Sequence, residues 1–216
     1  MDARSRSESE VVDARPGTDA AQQIPALTVR RGERAADWRA ILAAASPREV
    51  LARLMNADPL GLARVVEERL RARAYLLDAD RVFLRAAARC ARLAGRYRGD
   101  PPLSAWLAER VDESLLELID EELESLASGA DPAGDLRVFE SLAAPLGLDP
   151  ARTRRACAVH NALDEAERRA FREVVLEGRD LDELARGGGR SATAIARSAR
   201  RALLAVLAEI EAGGAS

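Results

Sequence analysis

The side chains best suited to chemistry in this sequence are arginines near its carboxyl terminus. Between Leu184 and Ala208 there is no acidic residue, and the arginines of that segment are Arg186, Arg190, Arg197, Arg200 and Arg201. Guanidinium groups repeated along one helix can bind DNA phosphates and the edges of guanine bases. A turn followed by a basic helix is the arrangement that a helix-turn-helix presents to DNA.

The turn and the basic helix belong to a predicted unit of three helices. These helices are predicted at about 164–176, 181–186 and 191–211. Asp180 is expected to cap the second helix, with Glu183 as its capping-box partner, and Ser191 is expected to cap the third. Gly187–Gly189 are expected to form the turn between them. The residues predicted to face DNA are Arg190, Ser191, Thr193, Ala194, Arg197, Arg200 and Arg201.

A solvated basic helix is the alternative interpretation of the same arginines. All 33 basic residues of the chain are arginine, which fits a GC-rich genome, and the net charge is -3. The chain is therefore not basic as a whole, and any contact with DNA must come from a local patch. Cations near the end of a helix are also common without any ligand.

The composition predicts an all-α protein. Aromatic residues make up 3% of the chain, while Ala, Leu, Arg and Glu are abundant and favour helices. We expect a disordered tail over 1–36, a helical domain over 37–127, a short linker over 128–135 and a helix-turn-helix domain over 136–212. Within these domains, further helices are predicted to start near Asp37, Pro47, Asp58, Asp78, Leu103, Leu136 and Ala151.

No motif of an enzyme, a cofactor site or a metal site stands out. Cys90 and Cys157 are too far apart in the sequence to indicate a metal site, so we expect two buried thiols, and His160 is expected to be structural. No apolar run reaches the roughly 20 residues that a membrane-spanning helix needs. The sequence therefore predicts a cytoplasmic protein without catalytic activity, cofactor or membrane contact.

The helix-turn-helix segment resembles, from Leu163 to Leu207, the promoter-binding domain of bacterial sigma factors of the extracytoplasmic-function type. The counterparts of that family's motifs are Leu163, Arg168 or Arg169, Phe171, Glu177-Gly178, Glu183-Leu184-Ala185, Gly189, Ser191, Ala194-Ile195 and Arg201-Ala202. The resemblance implies an all-α protein of two domains, whose C-terminal one binds the upstream element of a promoter.

A second resemblance to the same family lies in the first domain. Its F-L-R-A, R-F-R-G and L-x-x-W-L motifs are similar to Phe83–Ala86, Arg96–Gly99 and Leu103–Leu107. The resemblance implies that this domain binds core RNA polymerase, and an anti-sigma protein is a further candidate partner. The residues that it points to for the polymerase are Asp78, Asp80, Phe83 and Trp106.

The helix after Trp106 departs from the family because it is acidic. Residues 109–124 contain eight acidic side chains against Arg110 alone, a local charge of -7. Carboxylates repel DNA phosphates, so this helix favours either a solvated face or contact with a basic protein surface. The alternative function is therefore a diverged sigma paralogue that acts by protein–protein contact without melting a promoter.

Overall fold

The computed structural model of the chain describes residues 38–42, 46–128, 147 and 149–212, and every regular element among them is helical. The predicted all-α fold class is confirmed. The helices are α1 (Trp38–Leu42), α2 (Pro47–Ala57), α3 (Leu62–Ala72), α4 (Ala79–Leu93), α5 (Leu103–Ala127), α6 (Pro150–Ala162), α7 (Glu165–Ala170), α8 (Leu181–Gly188) and α9 (Ala192–Ala212). A 3-10 turn (Ala94–Arg96) follows α4, and a π-helical segment (Phe171–Leu176) continues α7.

Short polar side chains cap the N-termini of several of these helices. The Ser46 hydroxyl accepts a hydrogen bond from the Glu49 amide, and the Glu49 carboxylate accepts one from the Ser46 amide at 2.9 Å. Asp78 caps α4 by accepting from the amide of Asp80 at 2.9 Å. Such caps satisfy the amides of a first turn that have no partner inside the helix.

The predicted helix start at Asp58 is wrong, because α3 begins at Leu62. Asp58 instead ends α2 in a left-handed conformation with φ 40°. Its carboxylate reaches across the turn and accepts hydrogen bonds from the amides of Leu62 at 2.8 Å and Ala63 at 2.9 Å. One side chain therefore joins two helices, and its burial raises the pKa of Asp58 despite those bonds.

Two groups of helices have separate apolar cores. In the N-terminal half, which comprises the described residues 38–128, α2, α3, α4 and α5 pack around Val50, Leu54, Val66, Val82 and Leu118, all almost fully buried. In the C-terminal half, residues 149–212, α6 and α9 enclose Phe171. Each half therefore buries apolar side chains of its own, while the division of the chain into two helical domains stays a prediction.

The two halves contact each other where α5 packs against α6. The predicted tail (1–36), the predicted linker after Ser128 and the helix expected at 136–146 lie outside the described residues. None of the helices in the described ranges combines the length and the apolar character that crossing a membrane requires.

Candidate nucleic-acid interface

Three helices of the C-terminal half form the predicted helix-turn-helix unit. α7, α8 and α9 meet around Ala170, Leu184, Ile195 and Ala199, all buried. Two of these four side chains are alanines, so the helices can approach closely at this point. α9 also packs against α6, so the unit is joined to the larger core of this half.

The turn before α9 is shorter than the predicted Gly187–Gly189 turn. α8 continues through Gly188, and Gly189 alone ends it, with φ +66°. At the other end of the helix, the Asp180 carboxylate accepts from the amides of Asp182 at 2.9 Å and Glu183 at 3.0 Å. A capped helix propagates until a residue leaves the right-handed region, which glycine does at little cost.

The cap predicted for α9 is confirmed. The Ser191 hydroxyl accepts a hydrogen bond from the amide of Ala194 at 3.2 Å. Glu183, predicted to complete a capping box on α8, instead pairs with Arg179 at 3.5 Å. Ser191 and Thr193 are exposed at the start of α9, while Ala194 is half-buried.

Two of the predicted DNA-binding arginines are engaged by their own chain. Arg190 donates to the Ser198 hydroxyl at 2.8 Å and to the Ala166 carbonyl at 3.5 Å. The Nε atom of Arg201 donates to the Glu167 carboxylate at 2.7 Å. Ser198 and Glu167 were not among the sequence-predicted site residues, because helix periodicity does not tell which side chains of other helices an arginine reaches.

Arg197 and Arg200 are the two arginines of α9 that stay available. Both are exposed, and neither forms an ion pair with another residue in the described part of the chain. They lie three residues apart, which places them on one face of the helix. Thr193, Arg197 and Arg200 therefore lie on one exposed side of α9, and Ser191 lies at its N-terminal end.

The residues predicted to bind polymerase differ in burial: Asp80 is exposed, Asp78 is half-buried, and the other two lie in the core. Asp80 is exposed in the first turn of α4, and Asp78 is its cap. Phe83 is 3% exposed and Trp106 is 6% exposed, so both pack inside the N-terminal half. Their role in polymerase binding stays a prediction, and the core encloses both side chains, so neither is available for direct contact in this structure.

The acidic helix α5 is not an isolated negative surface. Three arginines of α4 spaced four residues apart pair with its carboxylates. We call these contacts the ion-pair network, and they are Arg81–Glu122 at 3.2 Å, Arg81–Glu121 at 3.4 Å, Arg85–Glu121 at 2.6 Å, Arg89–Glu113 at 2.8 Å and Arg89–Glu117. Asp112 pairs with Arg73 of the α3–α4 connection at 3.1 Å. The basic surface that faces α5 therefore belongs to the same chain.

Two glutamates of the network have pKa values that move in opposite directions. The hydrogen bond from Arg89 lowers the pKa of Glu117, whose side chain is partly in solvent. Burial raises the pKa of Glu122 to about 7, although Arg81 and Asn161 oppose that rise. The difference follows from burial, which penalises the charged form more than one ion pair favours it.

No cluster of three or more His, Cys, Asp or Glu side chains that could hold a metal occurs among the described residues. Cys90 and Cys157 are buried free thiols, as predicted. Burial raises the pKa of Cys90 to about 12 and raises that of Cys157 as well. Neither thiol has the thiolate character that a nucleophile or a metal ligand needs.

Comparison with protein-family models, with curated proteins and with solved structures gives no match to this chain. The function of this chain must therefore be inferred from its side chains and their surroundings.

Proposed function

We propose that this protein is a sigma-like regulator of transcription initiation, which binds promoter DNA through α9 and core RNA polymerase through its N-terminal half. The observation that supports it most is the exposed face of α9, where Arg197 and Arg200 form no ion pair with any residue that the structure describes. Most other arginines near the helix-turn-helix unit already have partners, so Arg197 and Arg200 are two cations available to bind an external anion.

The dimensions of α9 suit the major groove of DNA. At a rise of 1.5 Å per residue, Thr193 and Arg200 are about 10 Å apart along the axis. The major groove is about 12 Å wide, so one helix can present both side chains to one groove segment. Ala192 and Ala194 flank Thr193 and are small enough to let the helix approach the bases.

Phosphate binding has two further supports at the start of α9. The first amides of a helix carry partial positive charge and suit a phosphate. Arg190 lies one residue before the Ser191 cap, but a phosphate must compete with its bond to Ser198. Arg201 must likewise leave Glu167, so both arginines are expected to contribute less to DNA affinity than Arg197 and Arg200.

The polymerase part of the proposal rests on the resemblance of Phe83–Ala86 and Leu103–Leu107 to sigma-factor motifs. The start of α4, where Asp80 is exposed and Asp78 is half-buried, is the surface that a polymerase would contact. Phe83 and Trp106 then act by holding α4 and α5 in place. We expect the unmodified protein to co-purify with core polymerase and the Asp80→Arg variant to lose this co-purification. Co-purification that Asp80→Arg leaves unchanged would contradict the polymerase part of the proposal.

The DNA part is tested with a fluorescent pool of random-sequence duplexes, titrated with the protein at several salt concentrations. The double variant Arg197→Ala/Arg200→Ala is expected to lower the affinity about 10- to 100-fold and to reduce the salt slope by about 2. Arg64→Ala/Arg71→Ala removes two exposed arginines of α3 and is the matched control. An equal loss in both variants, or none in either, would contradict binding through α9.

The alternative, a diverged paralogue without promoter melting, is favoured by the charge of α5. Even with the ion-pair network formed, Asp120 and Glu124 remain exposed on this helix. Transcription by core polymerase from a fully duplex promoter distinguishes the two. Run-off product supports the sigma-like function, whereas product from a pre-melted template alone supports the paralogue.

A further inference from the structure

The glycines that lead into α9 do not themselves hold that helix in place. Gly187, Gly188 and Gly189 have no side chains, and a Cβ atom added at any of the three would meet no atom outside the adjacent backbone within 4 Å. Glycine is also the residue that leaves the backbone the greatest conformational freedom. The direction of α9 must therefore be set by contacts on either side of these glycines.

The apolar cluster around the first turns of α9 is small. The buried side chains that α7, α8 and α9 contribute to it are Ala170, Leu184, Ile195 and Ala199. Hydrophobic stabilisation is roughly proportional to the apolar area buried, and an alanine buries little of it. A polar contact between these helices therefore has a comparatively large influence on the angle between them.

Arg190 makes such a contact from the residue that precedes the cap of α9. Its Nη2 atom donates to the Ser198 hydroxyl of α9 at 2.8 Å, and its Nη1 atom donates to the Ala166 carbonyl of α7 at 3.5 Å. A guanidinium group is planar and holds its donors at fixed angles, so it can join two acceptors in one geometry. We call these two hydrogen bonds the Arg190 bridge.

The Ser198 end of the Arg190 bridge is buried. Ser198 is 4% exposed, and it lies on the same side of α9 as the buried Ile195 and Ala199. Buried hydroxyl groups need a hydrogen-bond partner, and Arg190 provides one. Without Arg190, the hydroxyl would remain buried without this donor, which costs more free energy than an average hydrogen bond contributes.

The Arg190 bridge lies away from the side of α9 that is proposed to face DNA. At 3.6 residues per turn, Ser198 is about 100° around the helix axis from Arg197 and about 160° from Arg200. A guanidinium that binds both Ser198 and a carbonyl of α7 must lie on the side of α9 that faces α7. Arg190 therefore does not extend the exposed face that carries Arg197 and Arg200.

From these contacts we infer that Arg190 and Ser198 are positioning residues, which set the angle at which α9 presents Thr193, Arg197 and Arg200 to DNA. Arg190 keeps its bond to Ser198 in the complex and contributes to affinity through the position of α9, not through a phosphate contact of its own. The inference rests on the proposed function, because the angle of α9 affects binding only where α9 is the DNA-binding helix.

The first test titrates the random duplex pool with the full-length protein at several salt concentrations. Ser198→Ala removes the hydroxyl without changing the charge, and Arg190→Ala removes the donor. Each is expected to lower the affinity by a similar factor, about 3- to 10-fold, and to leave the salt slope unchanged because no phosphate contact is lost. The double variant should lose no more than either single variant, because both break the same hydrogen bond.

Arg200→Ala is the matched control, because it removes one positive charge from the exposed face of α9 and should reduce the salt slope by about 1. The inference is overturned if Arg190→Ala reduces the slope by as much while Ser198→Ala leaves the affinity unchanged, since Arg190 would then bind a phosphate. Losses that add in the double variant overturn it as well, because the two residues would then act separately.

A second measurement, hydrogen exchange of backbone amides, needs no DNA. Arg190→Ala and Ser198→Ala should each raise the exchange rates of the amides of residues 195–199 about fivefold or more and leave those of α4 unchanged. Unchanged rates in α9, or an equal rise in α4, overturn the inference. An unmodified protein that does not bind the duplex pool contradicts the proposed function instead, and the exchange rates still decide whether the Arg190 bridge holds α9.

Discussion

Two helices of this protein carry arginines at helical spacing and use them differently. On α4, Arg81, Arg85 and Arg89 face the carboxylates of α5 and form the ion-pair network. On α9, Arg197 and Arg200 face solvent. The number of arginines in a segment therefore does not measure the capacity of that segment to bind an anion. What matters is whether a neighbouring helix already supplies the negative charge.

The same comparison applies to the two resemblances to sigma factors. In the N-terminal half, the residues that carry the resemblance are mostly buried or paired, so they describe a fold more directly than a contact. In the C-terminal half, the cap, the turn and the exposed arginines all lie at the surface. The proposed function therefore depends more on α9 than on α4.

The largest effect that separates a core role from a contact role is expected at Phe83. Phe83→Ala should lower the free energy of unfolding by about 3–5 kcal/mol, because it leaves a cavity among buried residues. Leu84→Ala, one residue further on and 50% exposed, should change it by less than about 0.5 kcal/mol. Urea denaturation measures both. A small loss at Phe83 would return this residue to the set of surface contacts.

The second largest effect is a pH dependence of stability, and it comes from the buried glutamate of the ion-pair network. The pKa of Glu122 rises from an ordinary value near 4.5 to about 7 in the folded protein, chiefly through burial. The folded state therefore binds the proton more tightly, and this stabilisation is complete below pH 4.5 and is lost as the pH rises through 7.

Glu122→Gln, which stays neutral, should accordingly gain stability relative to the unmodified protein between pH 4.5 and 7.5, by up to about 3 kcal/mol. His160, whose pKa burial lowers to about 4, has the opposite pH dependence but is present in both proteins and cancels. Urea denaturation at four pH values measures the difference. A difference that does not vary with pH would show that Glu122 is charged throughout.

A smaller effect is expected for the exposed part of the network. Arg85 and Glu121 have side chains that are 34% and 45% exposed, so solvent screens their ion pair. Arg85→Ala should cost about 0.5–1 kcal/mol of unfolding free energy, and Arg200→Ala should cost close to none. Thermal denaturation in low and high salt separates them, since salt should weaken the contribution of Arg85 alone.

The sequence predicts the local parts of this structure well. Asp180 and Ser191 cap helices as expected, because capping involves residues within one turn. The long-range contacts were not predictable in the same way: Asn161 binds Leu76 across 85 positions, and no periodicity links them. Prediction also failed over a short range at Asp58, because its carboxylate caps a helix that starts four residues later.

In the proposed function, α9 leaves Arg197 and Arg200 available to DNA, whereas the arginines of α4 are paired with α5. The most direct measurement compares two double variants on the same random duplex pool at low salt: Arg197→Ala/Arg200→Ala and Arg85→Ala/Arg89→Ala. Each removes two positive charges, so a nonspecific effect of net charge is equal in both. We predict a loss of affinity of about 10- to 100-fold for the α9 variant and less than about twofold for the α4 variant. Equal losses of affinity in the two variants, or a larger loss in the α4 variant, would contradict DNA binding through α9.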